Sequence, residues 1–154
     1  MALSIGDEAP DFELPNQDME PVSLASFRGD KAVALVFVPF AFTGVCEGEF
    51  CSLSDGLSDF EAKGVQVLGI TCDRPFSNKA WAEKAGINMP ILSDGWPHGD
   101  VSKRYENFNE DMGCAMRKTI LVGTDGKIVD MFESPDLGTP RDKEAYEAAL
   151  AKLG

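Results

Sequence analysis

Residues 32–38 read AVALVFV, a short unbroken apolar run. A bend containing Pro39 and Gly44 separates it from Glu47 to Glu61, where Phe50, Leu53, Leu57 and Phe60 recur at helical spacing. The run is too short to cross a membrane and too continuous for a strand with one wet face, so it predicts a strand covered on both sides and followed by a helix. Val65 to Thr71 repeats that strand character, and Ser77 to Ala85, closed by Gly86, reads as helix. Strand, helix, strand and helix in that order predict a βαβ crossover. Pro90 to Leu92 reads as a short strand and Asp100 to Tyr105 as a helical turn. Thr119 to Gly123 and Lys127 to Phe132 read as strands joined by the turn TDG, which favours antiparallel pairing. Ahead of the first run, residues 9–31 break into short extended pieces between Pro, Asn, Asp and Gly, expected to form a hairpin or edge structure. At the far end Thr139 before Pro140 is the expected cap of a terminal helix that buries Ala145, Ala149 and Leu150 and ends near Gly154.

These elements imply an α/β fold of thioredoxin-like character, with a central mixed sheet flanked by helices. At 154 residues with 44% apolar content, residues 1–154 are expected to form a single domain with a sizeable core. The 14 Lys and Arg against 26 Asp and Glu give a formal net charge of -12, whose field opposes nucleic acid and anionic membranes. No stretch suits membrane insertion and the start MALSIGDEAPDF lacks the pattern of a signal peptide, so a cytoplasmic location is expected. Cysteines at 46, 51, 72 and 114 are too sparse for a disulfide framework and, with the single His98 remote, too poorly spaced for structural zinc, so thiols and no metal are expected.

The chemistry concentrates in PFAFTGVCEGEFC, residues 39–51. Cys46 opens a helix, where unpaired backbone N–H groups and the positive end of the helix dipole favour a thiolate over the thiol that an ordinary pKa of about 8.5 would leave. Thr43 brings a hydroxyl that donates one hydrogen bond while accepting another, and Cys51 brings a second sulfur. Taken singly these residues have plain structural roles: Pro39 ends a strand, Thr43 caps a helix, a cysteine fills a core. Their joint spacing points to redox chemistry instead.

The pattern PxxxTxxC at Pro39, Thr43 and Cys46 resembles the active site of the peroxiredoxins. APDF near the start, ILSD at Ile91 to Asp94 and Arg117 ahead of TILVGTDGKI sit in the family's order, and nearly the whole chain is covered. AFTGVCEGE and LSDGWPHGDVS are especially similar to the one-cysteine actinobacterial group called alkyl hydroperoxide reductase E. The resemblance implies a thiol peroxidase in which Cys46 attacks hydrogen peroxide or an organic or lipid hydroperoxide and becomes a sulfenic acid, with no cofactor. It implies that Thr43 and the N–H groups near Val45 and Cys46 hold the peroxide, that Arg117 stabilises thiolate and leaving oxygen, and that Pro39 shields the sulfur. Glu47 and Glu49 would oppose ionisation unless turned away or held by cations, and the family's equivalent of Glu49 orients the arginine. A homodimer built from surfaces around the active site is also implied.

Recycling stays open at this point. Cys51, five residues on, resembles the resolving cysteine of the peroxiredoxin Q class, yet helix geometry separates the two Cα atoms by roughly 8.7 Å, beyond the ~7 Å limit for a disulfide. Pairing therefore requires the first turns to unwind, and the alternative for Cys51 is a buried helix residue. Cys114, in the flexible-looking NEDMGCAMR, is a further candidate. Failing both, an external thiol must act: mycothiol with a mycoredoxin, by the actinobacterial resemblance, or thioredoxin for a dithiol route. Cys72 reads as a small strand-end residue, Trp81 as core, Trp96 as pocket rim or dimer contact, and His98 as a turn residue. The competing functions are a dithiol disulfide oxidoreductase or peroxide-sensing relay, disfavoured by the absence of CxxC, and a binding module with an inert Cys46.

Overall fold

The computed structural model describes residues 3–153. In chain order it runs β1 (Glu13–Pro15), β2 (Pro21–Ser23), β3 (Ala32–Phe37), α1 (Gly44–Asp55), α2 (Leu57–Ala62), β4 (Val65–Thr71), α3 (Pro75–Ala85) and β5 (Ile91–Ser93). It continues with α4 (Asp100–Arg104), β6 (Phe108–Asn109), β7 (Cys114–Ala115), β8 (Lys118–Val122), β9 (Ile128–Glu133) and α5 (Lys143–Ala151). The main sheet has five strands in the order β5-β4-β3-β8-β9. β3, β4 and β5 are parallel, as the crossover reading requires, and β8 joins β3 and β9 antiparallel. The sheet is mixed and lies between helices, as expected of the thioredoxin-like class.

Every residue of β3 is buried, and its alternation divides the core into two layers. Ala32, Ala34 and Val36 pack with Phe50 and Leu53 of α1, Phe60 of α2, Trp81 of α3 and Ala149 of α5. Val33, Leu35 and Phe37 face the other way, onto Phe12, Leu14, Leu24, Val101 and Tyr105. Four helices thus cover one face, and the β1–β2 hairpin with α4 covers the other. Gly69 on β4 makes room for α1: a Cβ there would come 2.7 Å from the Phe50 ring and 2.9 Å from Met89 Cε. Phe50 in turn stacks on Trp81 at 5.2 Å between ring centroids, fixing α1 against α3.

Several boundaries differ from the sequence expectation. The helix read over 47–61 is two helices that meet at Gly56, whose N–H closes the end of α1 on Ser52 and Leu53 carbonyls. Leu57 and Phe60 still reach the core because the break leaves the apolar stripe nearly in phase. Pro75 starts α3 two residues ahead of Ser77, in the first-turn position that needs no N–H, and Gly86 ends it at φ 72. Thr139 does not cap α5. Asp142 does, its side chain accepting from Glu144 N–H at 3.1 Å, while the Thr139 carbonyl takes a bond from the Ser134 hydroxyl at 2.6 Å. The segment read as flexible around Cys114 is the β6–β7 hairpin, with Cys114 wholly buried. Gly154 lies outside the described residues. Among those residues no helix is long and apolar enough to cross a membrane.

Candidate active site

α1 begins just beyond the C-terminal end of the central strand β3, with Thr43 in the capping position and Cys46 in the first turn. The Glu47 N–H closes that turn on the Thr43 carbonyl at 2.9 Å, and the Thr43 side chain makes no capping bond. Among the described residues the N–H groups of Gly44, Val45 and Cys46 therefore have no side-chain cap, which leaves them to a ligand. Thr43 is exposed, and its hydroxyl donates to the Phe40 carbonyl at 2.9 Å. The proton of Oγ1 is thus committed within the loop, and the oxygen is left to accept a bond from outside. Cys46 is 0% exposed, among the buried residues that include Ala41, Phe50 and Trp81. Pro39 is buried just past Val38, the residue after β3 whose N–H still meets the Ile70 carbonyl, and with no N–H of its own it continues no pairing.

Three residues after Cys46 on the same helix, Glu49 joins two buried guanidinium groups. Arg117, 4% exposed, donates from Nη1 to Glu49 Oε1 at 2.7 Å and from Nε to the Leu137 carbonyl at 2.7 Å. Arg141, 7% exposed, donates to Glu49 from its backbone N–H at 2.8 Å, from Nε at 3.0 Å and from Nη2 at 3.0 Å, and to the Phe37 carbonyl from Nη1 at 2.6 Å. Burial alone would push the Glu49 carboxyl up. The hydrogen bonds and charge of Arg141, with the charge of Arg117, outweigh it and hold the group below its ordinary value. Two cations share one anion, so the cluster carries a net positive charge beside the second turn of α1. Arg117 Nη2 makes no hydrogen bond among the described residues, which leaves a donor edge uncommitted. Glu47 accepts a hydrogen bond from Trp81 Nε1 at 3.2 Å.

The structure thus brings Pro39, Thr43, Cys46, Glu49 and Arg117 to one end of the sheet. Arg141 was not foreseen from the sequence: a lone arginine before a helix reads as a surface charge, and its partner is 92 residues away. Asp73 is the other residue missed. It follows β4, its Oδ2 accepts the Ala41 N–H at 2.8 Å, and burial pushes its carboxyl up.

The remaining thiols are unpaired. Cys51 lies in the same unbroken helix as Cys46 and donates to the Ala85 carbonyl at 3.5 Å. Burial, then Glu47 and Asp55, push its thiol up. Burial also raises Cys114, with the charges of Cys46 and Asp73 adding to it and Arg117 opposing. Cys72 is pushed up to about 11, mainly by burial and by Asp94. Such thiols ionise less readily than a free cysteine. Trp81 is core, whereas Trp96 is exposed with its ring against that of His98 at 4.7 Å between centroids, both on the loop after β5.

A model of the AhpC/TSA family matches residues 5–131. The chain is 44% identical over 151 residues to alkyl hydroperoxide reductase E of Mycobacterium tuberculosis, covering 98% of each chain. It is 36% identical over 137 residues to peroxiredoxin Bcp of Escherichia coli, covering 85% of this chain and 86% of that one. The crystal structure of peroxidoxin BcpB from Mycobacterium tuberculosis superimposes with a TM-score of 0.84 at 30% identity, covering 98% of this chain and 96% of the other.

Proposed function

From the premise that the chain belongs to the AhpC/TSA family of peroxiredoxins and is a thiol-dependent peroxidase, we propose that Cys46 is the nucleophile that attacks the peroxide. The observation that carries this assignment is the buried Arg117–Glu49–Arg141 cluster one turn along the helix that Cys46 opens. Its two guanidinium groups and the N–H groups of the first turn supply positive charge and donors for the oxygens of a bound peroxide. The Thr43 oxygen accepts the O–H of the peroxide while the helix N–H groups and the uncommitted edge of Arg117 donate to its oxygens. The thiolate forms an S–O bond, the O–O bond breaks, and the leaving oxygen takes a proton to depart as water or an alcohol. Cys46 is left as a sulfenic acid. Glu49 and Arg141 position Arg117 and do not touch the reacting atoms. Phe42, 50% exposed beside Thr43, gives an organic or lipid hydroperoxide an apolar contact that hydrogen peroxide does not use.

The sulfenic acid must be returned to the thiol by a thiol reductant. We assign the first step to Cys51, after local unwinding of α1. Gly48 lies inside α1 two residues after Cys46 and costs the helix roughly 1 kcal/mol against alanine, so this end of α1 is weakly held and able to open. The disulfide would then pass to thioredoxin, or the sulfenic acid directly to mycothiol and a mycoredoxin if α1 stays closed. A reducing cytoplasm suits either route. We assign the homodimer to surfaces around the active site, where Phe42 is exposed.

Intact-mass measurement after one equivalent of hydrogen peroxide separates the routes. The wild type is expected to lose the mass of two hydrogens, and Cys51→Ser to gain that of one oxygen. A wild-type protein that keeps the added oxygen until an external thiol is supplied would remove Cys51 from the cycle.

A further inference from the structure

The loop that presents Thr43 leaves the sheet after Val38, whose N–H still meets the Ile70 carbonyl at 3.0 Å, and rejoins regular structure at the Glu47 N–H. Between those points, among the described residues, one hydrogen bond ties it to the rest of the molecule. That bond is Ala41 N–H to Asp73 Oδ2, at 2.8 Å. The Thr43 hydroxyl bond to Phe40 is internal to the loop and fixes nothing outside it. Asp73, by contrast, is braced by three elements. Its N–H meets the Thr71 hydroxyl of β4 at 3.1 Å, that hydroxyl donates to buried Asn78 Oδ1 of α3 at 2.8 Å, and its carbonyl accepts from the Ser93 hydroxyl of β5.

The loop needs such an anchor. Phe42, the neighbour of Ala41, sits at φ 63 with its ring half in solvent, a backbone region that a bulky aromatic residue disfavours. Set free, Phe42 would relax towards negative φ and carry with it Thr43, the next residue.

We propose that Asp73 is a positioning residue for peroxide reduction: by accepting the Ala41 N–H it holds the strained loop so that the Thr43 oxygen faces the peroxide. The proposal rests on the assignment of Cys46 and Thr43 made above. It is the acceptor atom that matters here, because the partner is an uncharged amide; asparagine, which keeps one carbonyl oxygen at the same reach, serves in its place.

Two reactions of the reduced protein test this. Stopped-flow oxidation by hydrogen peroxide depends on Thr43, whereas alkylation of Cys46 by iodoacetamide, followed on the Cys46 peptide by mass spectrometry, needs the Cys46 sulfur and its access but not the Thr43 oxygen. Asp73→Ala is expected to slow peroxide oxidation by about 10-fold or more while alkylation stays within about 3-fold of wild type, as misplacement of a positioned group predicts. Asp73→Asn is expected to recover the peroxide rate to within about 3-fold. A wild-type peroxide rate in Asp73→Ala, a parallel fall in both reactions, or an asparagine variant as slow as alanine would each overturn the proposal. Should Asp73→Ala not fold, amide exchange in the reduced wild type decides: the Ala41 N–H is expected to be protected about 100-fold relative to that of Phe42, and equal exchange would overturn the anchor. Peroxide oxidation that persists in Cys46→Ser would overturn instead the assignment beneath it.

Discussion

Replacement of Cys46 by serine will reduce the rate of hydroperoxide consumption by at least about 10³-fold, to the level of the protein's background thiols. The size of the loss follows from the chemistry of the nucleophile. A serine hydroxyl at the same place stays protonated near neutral pH, and neither the first turn of α1 nor the arginine cluster supplies enough stabilisation to ionise it. The other three thiols do not compensate, since burial pushes Cys51, Cys72 and Cys114 away from ionisation. Serine in a fully buried apolar position costs about 1–3 kcal/mol, so the variant remains folded, and circular dichroism beside the peroxide assay separates lost chemistry from lost structure. Retention of more than about a tenth of the wild-type rate would assign the reaction elsewhere.

Glu49→Ala has the largest expected effect on stability. The carboxylate accepts four hydrogen bonds from Arg117 and Arg141, and its removal leaves two buried guanidinium groups facing each other without a counter-charge. Breaking a buried ionic cluster in this way costs about 3–5 kcal/mol, which lowers the melting temperature of a chain this size by roughly 10 °C. Peroxide reduction falls as well, because Arg117 loses the contact that orients it. Glu49→Gln, which keeps the shape and one acceptor oxygen, is expected to fall between alanine and wild type. The same cluster sets an acid limit. The folded-state Glu49 carboxyl lies below its ordinary value of 4.5, so its contribution is fully present above that pH and is lost as pH falls from there through the lower folded value. Thermal melts of wild type and Glu49→Gln should therefore converge below pH 4.5. A melting temperature for Glu49→Ala within about 2 °C of wild type would show that the cluster is not a supporting element.

What could be read from the chain beforehand depended on whether the signal was local. β3 and β4 stood out because strands buried on both faces are unbroken apolar runs, and the β8–β9 pair was announced by its turn. The break between α1 and α2 was hidden, since Gly56 interrupts a stripe that stays in phase on either side of it. The start of α5 was misplaced because the chain first stays extended to carry Arg141 into the core, and only then finds its cap at Asp142. Pro39, Thr43, Cys46 and Glu49 could be singled out together because one short segment carries them all, and Arg117 entered through the family resemblance. Arg141 and Asp73 were invisible for a different reason: a single charged residue gives no local sign of burial, and what commits these two is a partner on a distant element, Glu49 in one case and Ala41 in the other.

The central claim is that the oxygen lost by the peroxide is first carried by the sulfur of Cys46. Trapping with dimedone in excess, during exposure of the fully reduced Cys51→Ser variant to one equivalent of hydrogen peroxide, followed by peptide mass spectrometry, tests it most directly. The predicted result is a single dimedone adduct on Cys46, with Cys72 and Cys114 unmodified. An adduct on Cys72 or Cys114 with Cys46 still a free thiol would contradict it.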